Sequence, residues 1–330
     1  MAIRRILAAV RDPSARRLAG VRKAARLARG FDAELVLFHA LAEPLYVGGF
    51  DGAFSPLSDD PRALERRTRE AALLRLERVA SRLRRTGIRV RVSAEWDFPP
   101  YEAIVREACR LRADLIVAEQ HPGRHFAAGL LHLNDWELLR SSPMPVLVVK
   151  SARTLHRPAV LAAVDPDHSY AKPPRLDRQI LQTAAAITRA VGGKLHAGYA
   201  YVPLPLTAFS EGALSDEEVL RLEARNARGA AAKLERLVRG VAIPRSRRHV
   251  VGRHPVDAIA QLAKQTHSAI VVMGAIARSG IKGLLIGNTA EKLLDRLSCD
   301  ILIVKPAGRV PAPTLRRRGA RYLGAQPRLY

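Results

Sequence analysis

The sequence predicts an α/β protein made of two tandem, doubly wound, five-stranded parallel-sheet domains, and three observations carry that reading. The chain of 330 residues repeats itself at a constant offset. "PYEAI" (100–104) returns as "PVDAI" (255–259), "DLIV" (114–117) as "AIVV" (269–272), "VLVVK" (146–150) as "ILIVK" (301–305) and "AFS" (53–55) as "AFS" (208–210), each 155 residues later. "AAV" (8–10) and "AAV" (162–164) fall one residue short of that spacing. A register held over half the chain reads as an internal duplication. Within each half, short β-branched runs alternate with long helical patterns. The β runs are nearly continuous in Val, Ile, Leu and Ala, as strands covered by helices on both faces must be.

Taken in order, the first half places strands near 3–10, 34–41, 88–95, 114–118 and 146–150, with helices near 15–29, 61–85, 100–112 and 131–141. The second half places strands near 159–164, 194–202, 247–251, 269–273 and 300–304, with helices near 175–191, 215–239, 255–267 and 288–297. The long second helix of each half opens on a capping signal. In the first half it is "SDDP" (58–61), with proline at the first helical position; in the second, Ser215 with Glu218 makes a capping box. These elements set the domains at 1–152 and 157–306, joined by the short polar stretch "SARTLHRP" (151–158) and followed by a tail, 307–330. So short a joint predicts halves that pack together rather than swing, as an internal pseudo-dimer.

Composition narrows the function classes. The formal charge is +24, but most of the arginines lie in helical stretches interleaved with Ala and Glu, such as "RALERRTREAALLRLERVASRLRR" (62–85), the pattern of a solvated helix face. Only the tail is locally biased: Arg309, Arg316, Arg317, Arg318, Arg321 and Arg328 stand among Pro and Gly with no acidic residue, which predicts disorder. Contact with nucleic acid is expected, if anywhere, weakly through that tail; a merely solvated tail is the other reading. Cys109 and Cys299 sit apart from any Cys-x-x-Cys or Cys/His pairing, so neither disulfides nor a zinc ribbon is expected. The apolar stretch 6–10 is too short for a signal peptide, and no run is long enough to span a bilayer, so a cytoplasmic protein with no membrane association is expected.

In doubly wound sheets, ligands collect beyond the carboxyl ends of the strands at the switch point. In the second half that place is "MGAIARSGIKGLLIGNTAEKLL" (273–294). The fourth strand ends at Gly274, the loop runs through Gly280 and Gly283, and Gly287 leads into Asn288, a good N-cap with Glu291 three residues on. Such a helix end can hold a phosphate, and glycines let the backbone approach it. The same glycines can also simply close a strand-to-helix loop.

The two-fold repeat together with Gly274, Gly287 and "GNTAEKLLDRLSCDILIVKP" resembles the universal stress protein family, in its tandem-domain form, over residues 3–306. The resemblance implies the adenine-nucleotide-binding-like fold of that family. Members that bind ATP share a Gly-x-x-Gly-nine-residues-Gly-Ser/Thr loop. On this chain it falls on Gly274, Ala277, Gly287 and Asn288, so the second and fourth positions depart. Ala277 adds a methyl where a phosphate would approach closely, and Asn288 loses the small hydroxyl, which Thr289 next door can supply. The aspartate that ends the family's first strand falls on Asp165, whose plain reading is an Asx-Pro turn. Arg278 follows the loop and can pair with a phosphate or stay solvated.

The resemblance therefore implies a stress-response protein that binds ATP or AMP in its second domain only, with no metal beyond nucleotide-associated Mg. In the first half Glu119 stands where Gly274 does and His132 where Gly287 does, so no nucleotide is expected there. His121, His125 and His132 lack a common helix face because Pro122 and Gly123 intervene, so no metal site is expected. There is no Walker, nucleophile-elbow or His-Glu-x-x-His motif, and a non-enzymatic protein is expected, with any ATP hydrolysis slow and incidental. The alternative is an interaction or scaffold module whose nucleotide pocket is closed or holds another small or apolar ligand. Whether two chains form a homodimer stays open.

Overall fold

The structure is a computed structural model that describes residues 2–41, 46–48, 54–56, 60–97, 99–120, 136–167, 175–203, 215–275 and 288–306; residues 46–48, 54–56, 61, 216, 288 and 289 are described by backbone alone. The chain divides into two compact units, one over 2–149 and one from Lys150 onward.

The first unit contains β1 (Arg5–Ala9), α1 (Ala19–Phe31), β2 (Glu34–Leu41), β3 (Tyr46–Gly48), β4 (Phe54–Pro56), α2 (Pro61–Arg84), β5 (Val90–Trp96), α3 (Pro100–Arg110), β6 (Leu115–Glu119), a helical stretch α4 (136–141) and β7 (Val146–Val149). Its sheet runs β7-β6-β1-β2-β5 with every pairing parallel. The second unit contains β8 (Ala159–Val164), α5 (Leu176–Ala190), β9 (Lys194–Tyr201), α6 (Asp216–Leu237), β10 (Arg248–Gly252), α7 (Pro255–Gln265), β11 (Ser268–Gly274), α8 (Asn288–Arg296) and β12 (Asp300–Val304). Its sheet runs β10-β9-β8-β11-β12, again all parallel. Each unit thus winds outward from its first strand in both directions. The switch point lies between β1 and β6 in the first unit and between β8 and β11 in the second.

The central strands are sealed on both faces. Leu7, Leu35, Leu37, Ile116 and Val117 in the first sheet, and Val160, Leu161, Val271, Val272, Ile301 and Ile303 in the second, are fully buried. Polar groups are thereby driven to the strand ends.

The caps act as the sequence indicates. The Asp60 carboxylate accepts the N–H of Ala63 at 2.9 Å ahead of Pro61, and the Ser215–Glu218 box is complete. The repeat also shows in the backbone: Arg112 and His267, 155 residues apart, take left-handed φ values of 51° and 48° where α3 and α7 turn into the following strands.

Two features depart from the sequence reading. Helix α1 begins at Ala19 rather than near 15, because Asp12–Ala15 use their hydrogen bonds in a turn: the Asp12 carboxylate accepts the Ser14 N–H at 2.8 Å, and the Asp12 carbonyl accepts that of Ala15 at 3.2 Å. The antiparallel pair β3–β4 was not expected. Of the helix expected over 131–141, residues 131–135 lie outside the described residues, as does the tail, 307–330.

At the edge of the second sheet, His196 on β9 and His249 on β10 stack with ring centroids 5.3 Å apart, and Nδ1 of the first lies 3.0 Å from Nε2 of the second. Burial, then the charges of His249, Arg247 and Lys194, push His196 down to about 4; burial also lowers His249. The folded chain therefore binds fewer protons than the unfolded one, whose imidazoles titrate near about 6.5. The pair's contribution to stability is full above that value and is lost as pH falls toward about 4. Urea midpoints at constant ionic strength are expected to drop across this window, and a His196→Leu/His249→Leu variant to lose most of that slope. An unchanged slope would assign the pH dependence to other groups.

Candidate functional site

The switch point of the second unit gathers residues from β8, β9, β11, α5 and α6. Ala162 lies opposite Val272 in the β8–β11 register, which carries Asp165 to a level one residue beyond Gly274. The two are thus neighbours at the carboxyl ends of adjacent strands. The backbone N–H of Asp165 donates to Oδ1 of Asp177 at 2.9 Å. Asp177 is fully buried in the first turn of α5, where a carboxylate also meets the positive end of the helix. Two residues past Asp165, the Asp167 carboxylate accepts the Tyr199 hydroxyl and pairs with the Lys233 ammonium. Burial first, and then the bond to Asp167, raise the Tyr199 phenol, so it stays protonated and donates. The loop that carries Asp165 is therefore fixed from the helix on one side and from β9 and α6 on the other.

Gly274 has a packing reason to be glycine. A Cβ built on it would lie 2.7 Å from Cδ2 and 3.0 Å from Cγ of Leu176, and 3.1 Å from Cδ1 of Ile180. Leu176 and Ile180 are themselves fully buried on α5. What the missing side chain admits here is the first turns of α5. Ala275 continues the strand direction, its N–H donating to the carbonyl of Val304 at 2.9 Å.

Of the other residues singled out in the sequence, Ala277, Arg278 and Gly287 lie outside the described residues, and Asn288 and Thr289 are placed by backbone alone as the first residues of α8. The cap expected from the Asn288 side chain lies outside the description. So do His121, His125 and His132. Among the described residues, no group of three or more His, Cys, Asp or Glu could hold a metal ion. Sequence reasoning missed Asp167, Asp177, Tyr199 and Lys233. An acidic residue in the first turn of a helix after a strand-end Asp-Pro was the signal available for Asp177.

The first unit handles the same place differently. Ala9 lies opposite Ala118, so Glu119 ends β6 at its switch point as Gly274 ends β11. Its Oε2 accepts the N–H of Gly20, in the first turn of α1, at 3.2 Å. That turn has no acidic residue of its own. The strand tip supplies the carboxylate and sets a negative charge where a phosphate would have to sit.

Comparison with known proteins now has a geometry to attach to. The sequence profile of the universal stress protein family matches residues 2–150 and again 160–305. The chain belongs to the universal stress protein family. Two universal stress protein domains therefore stand in one chain. Universal stress protein E of Escherichia coli K12 is 30% identical over 225 residues, covering 67% of this chain and 69% of that protein. Among solved structures, a protein of unknown function from Pseudomonas aeruginosa PAO1 superposes with a TM-score of 0.68 at 26% identity, covering 92% of this chain and 93% of the other. A universal stress protein from Archaeoglobus fulgidus superposes at 0.56 and 16% identity, covering 91% and 98%, a likeness of fold. Among the described residues of this universal stress protein, no helix is long and apolar enough to cross a membrane.

The packing account of Gly274 makes a direct prediction. Gly274→Ala overpacks a closed site and is expected to cost about 1–3 kcal/mol in chemical denaturation. Leu176→Ala in the same chain should recover part of that cost, so that the double variant is less destabilised than the sum of the singles. Strict additivity would show that the glycine serves something other than the approach of α5.

Proposed function

We propose that this universal stress protein is a non-enzymatic, cytoplasmic stress-response protein whose second domain binds an adenine nucleotide, ATP or AMP, while its first domain binds none. The observation that carries the reading is the contrast between the two strand tips. Gly274 puts no side chain beyond β11, whereas Glu119 lays a carboxylate over the end of α1. At the tip of β8, Asp165 is part-exposed on a loop whose backbone is already fixed by Asp177. Its carboxylate suits the hydroxyl-rich ribose end of a nucleotide, and the start of α8 at Asn288 suits the phosphates, which a helix N-terminus attracts. The only metal this requires is the Mg²⁺ that accompanies a nucleotide. The two domains of one chain take the place of two subunits.

A second reading is favoured by the packing of Gly274. Because α5 accounts for that glycine, and Ala277 breaks the family's loop pattern, the pocket can equally be closed or hold another small ligand, leaving a scaffold module. Thermal melting of the purified chain with and without Mg–ATP, Mg–AMP and a nucleotide panel separates the two. A nucleotide at ten times its Kd stabilises the folded chain by about 1.4 kcal/mol, and a rise in Tm that Asp165→Ala abolishes is the expected result. No rise with any nucleotide up to millimolar concentration would leave the scaffold reading. Phosphate release above the protein-free rate would overturn the non-enzymatic assignment.

A further inference from the structure

The first unit contains a cleft that the nucleotide reading does not use. It has a volume of about 470 Å³ and opens at the carboxyl ends of β1 and β2, beneath one face of α2. Arg11 and Asp12, from the loop after β1, and His39, from β2, form one wall; Arg67, Thr68 and Arg75 of α2 form the other. Arg11, Arg67 and Arg75 are exposed, and among the described residues none of them has an ion-pair partner. Other arginines of the same helix are engaged: Arg66 approaches Asp60 at 3.8 Å, Arg69 donates to the carbonyl of Ala94 at 2.7 Å, and Arg84 pairs with Glu77. The single carboxylate of the lining is also committed, since Asp12 accepts both the N–H and the hydroxyl of Ser14. His39 faces Val10 through Nδ1, 2.7 Å from its carbonyl, so that nitrogen carries the proton and donates.

We propose that the first domain binds a small polyanion carrying two or more phosphoryl groups in the cleft between Arg11, Arg67 and Arg75. Three guanidiniums against one occupied carboxylate leave the cleft net positive, and guanidinium forks match phosphate oxygens in pairs. The volume falls in the range of small-molecule sites. Eight residues of helix separate Arg67 from Arg75, about 12 Å along the axis, too far for one phosphate and within reach of a chain of them. Positions 67, 68, 71, 72 and 75 fall on a single helix face, so a stretch that reads in the sequence as solvated charge has one side turned to a cavity. The proposal does not rest on nucleotide binding by the second domain, since it concerns the domain to which that reading gives no nucleotide.

The test is calorimetric titration of the full chain with inorganic tripolyphosphate at fixed ionic strength. Arg67→Ala/Arg75→Ala removes two exposed side chains and leaves the fold intact, as circular dichroism will confirm; it is expected to weaken the first-domain isotherm at least tenfold. Arg11→Ala, on the opposite wall, should weaken the same isotherm. Arg62→Ala/Arg82→Ala removes equal charge from the same helix outside the cleft and should leave binding within twofold. Absence of binding by the native chain, survival of binding in the Arg67/Arg75 variant, or an equal loss in the Arg62/Arg82 control would each overturn the site. Citrate binding as tightly as tripolyphosphate would overturn the phosphoryl assignment.

Discussion

In each domain the helix that follows the first strand comes back over the tip of the fourth, and its positive end needs a carboxylate. The two domains meet that need from opposite sides. In the first, α1 has no acidic residue in its opening turn, and Glu119 reaches across from the strand tip to the Gly20 N–H. In the second, α5 carries its own Asp177, which turns to the Asp165 N–H. With the charge supplied from the helix, the tip of β11 is relieved of that task and is glycine, and α5 moves in until Leu176 and Ile180 occupy the space a Cβ would take. One electrostatic requirement, met in two ways, thus decides which strand tip carries a charge.

The same logic orders the residues around Asp165. A loop at the end of a buried parallel strand has no ladder partners of its own, so its backbone groups must be paired by side chains from elsewhere. Asp177 does this for the N–H of Asp165, while Tyr199 and Lys233 hold Asp167. The Asp165 carboxylate is left on a rigid mount at a part-exposed position. A preformed polar group at a switch point is what a small-ligand site requires, and it loses little conformational freedom on binding.

How much of this was legible follows from the range of the interactions. The sheets were readable because strands buried on both faces must be continuously apolar, and a 155-residue register survives in the apolar letters of "VLVVK" and "ILIVK". The caps at Asp60 and Ser215 were readable because their partners lie three residues away. The bond from Tyr199 to Asp167 spans 32 residues, and that from Gly20 to Glu119 spans 99; only the strand order brings these pairs together. Gly274 was visible as a glycine, but the pattern could not distinguish a phosphate approaching it from a leucine doing so. The short β3–β4 pair escaped because three-residue strands are too brief to show a period.

The duplicated architecture explains why the two switch points could diverge so far. The stability of each sheet comes from sealed strands such as β1, β8 and β11, and none of that burial involves the residues just past their carboxyl ends. Exposed positions there cost little to change, within about 0.5 kcal/mol for most surface substitutions. One copy can therefore place Arg11 after its first strand where the other places Asp165, and Glu119 at its fourth tip where the other places Gly274, without disturbing either core. A neighbouring helix face follows the same rule: Arg67 and Arg75 project from α2 while Leu76 and Ala80 of that helix stay buried against the sheet. Binding chemistry in this fold is written on the rim, where physical selection for folding is weakest, so the two rims of one chain can be complementary to different ligands.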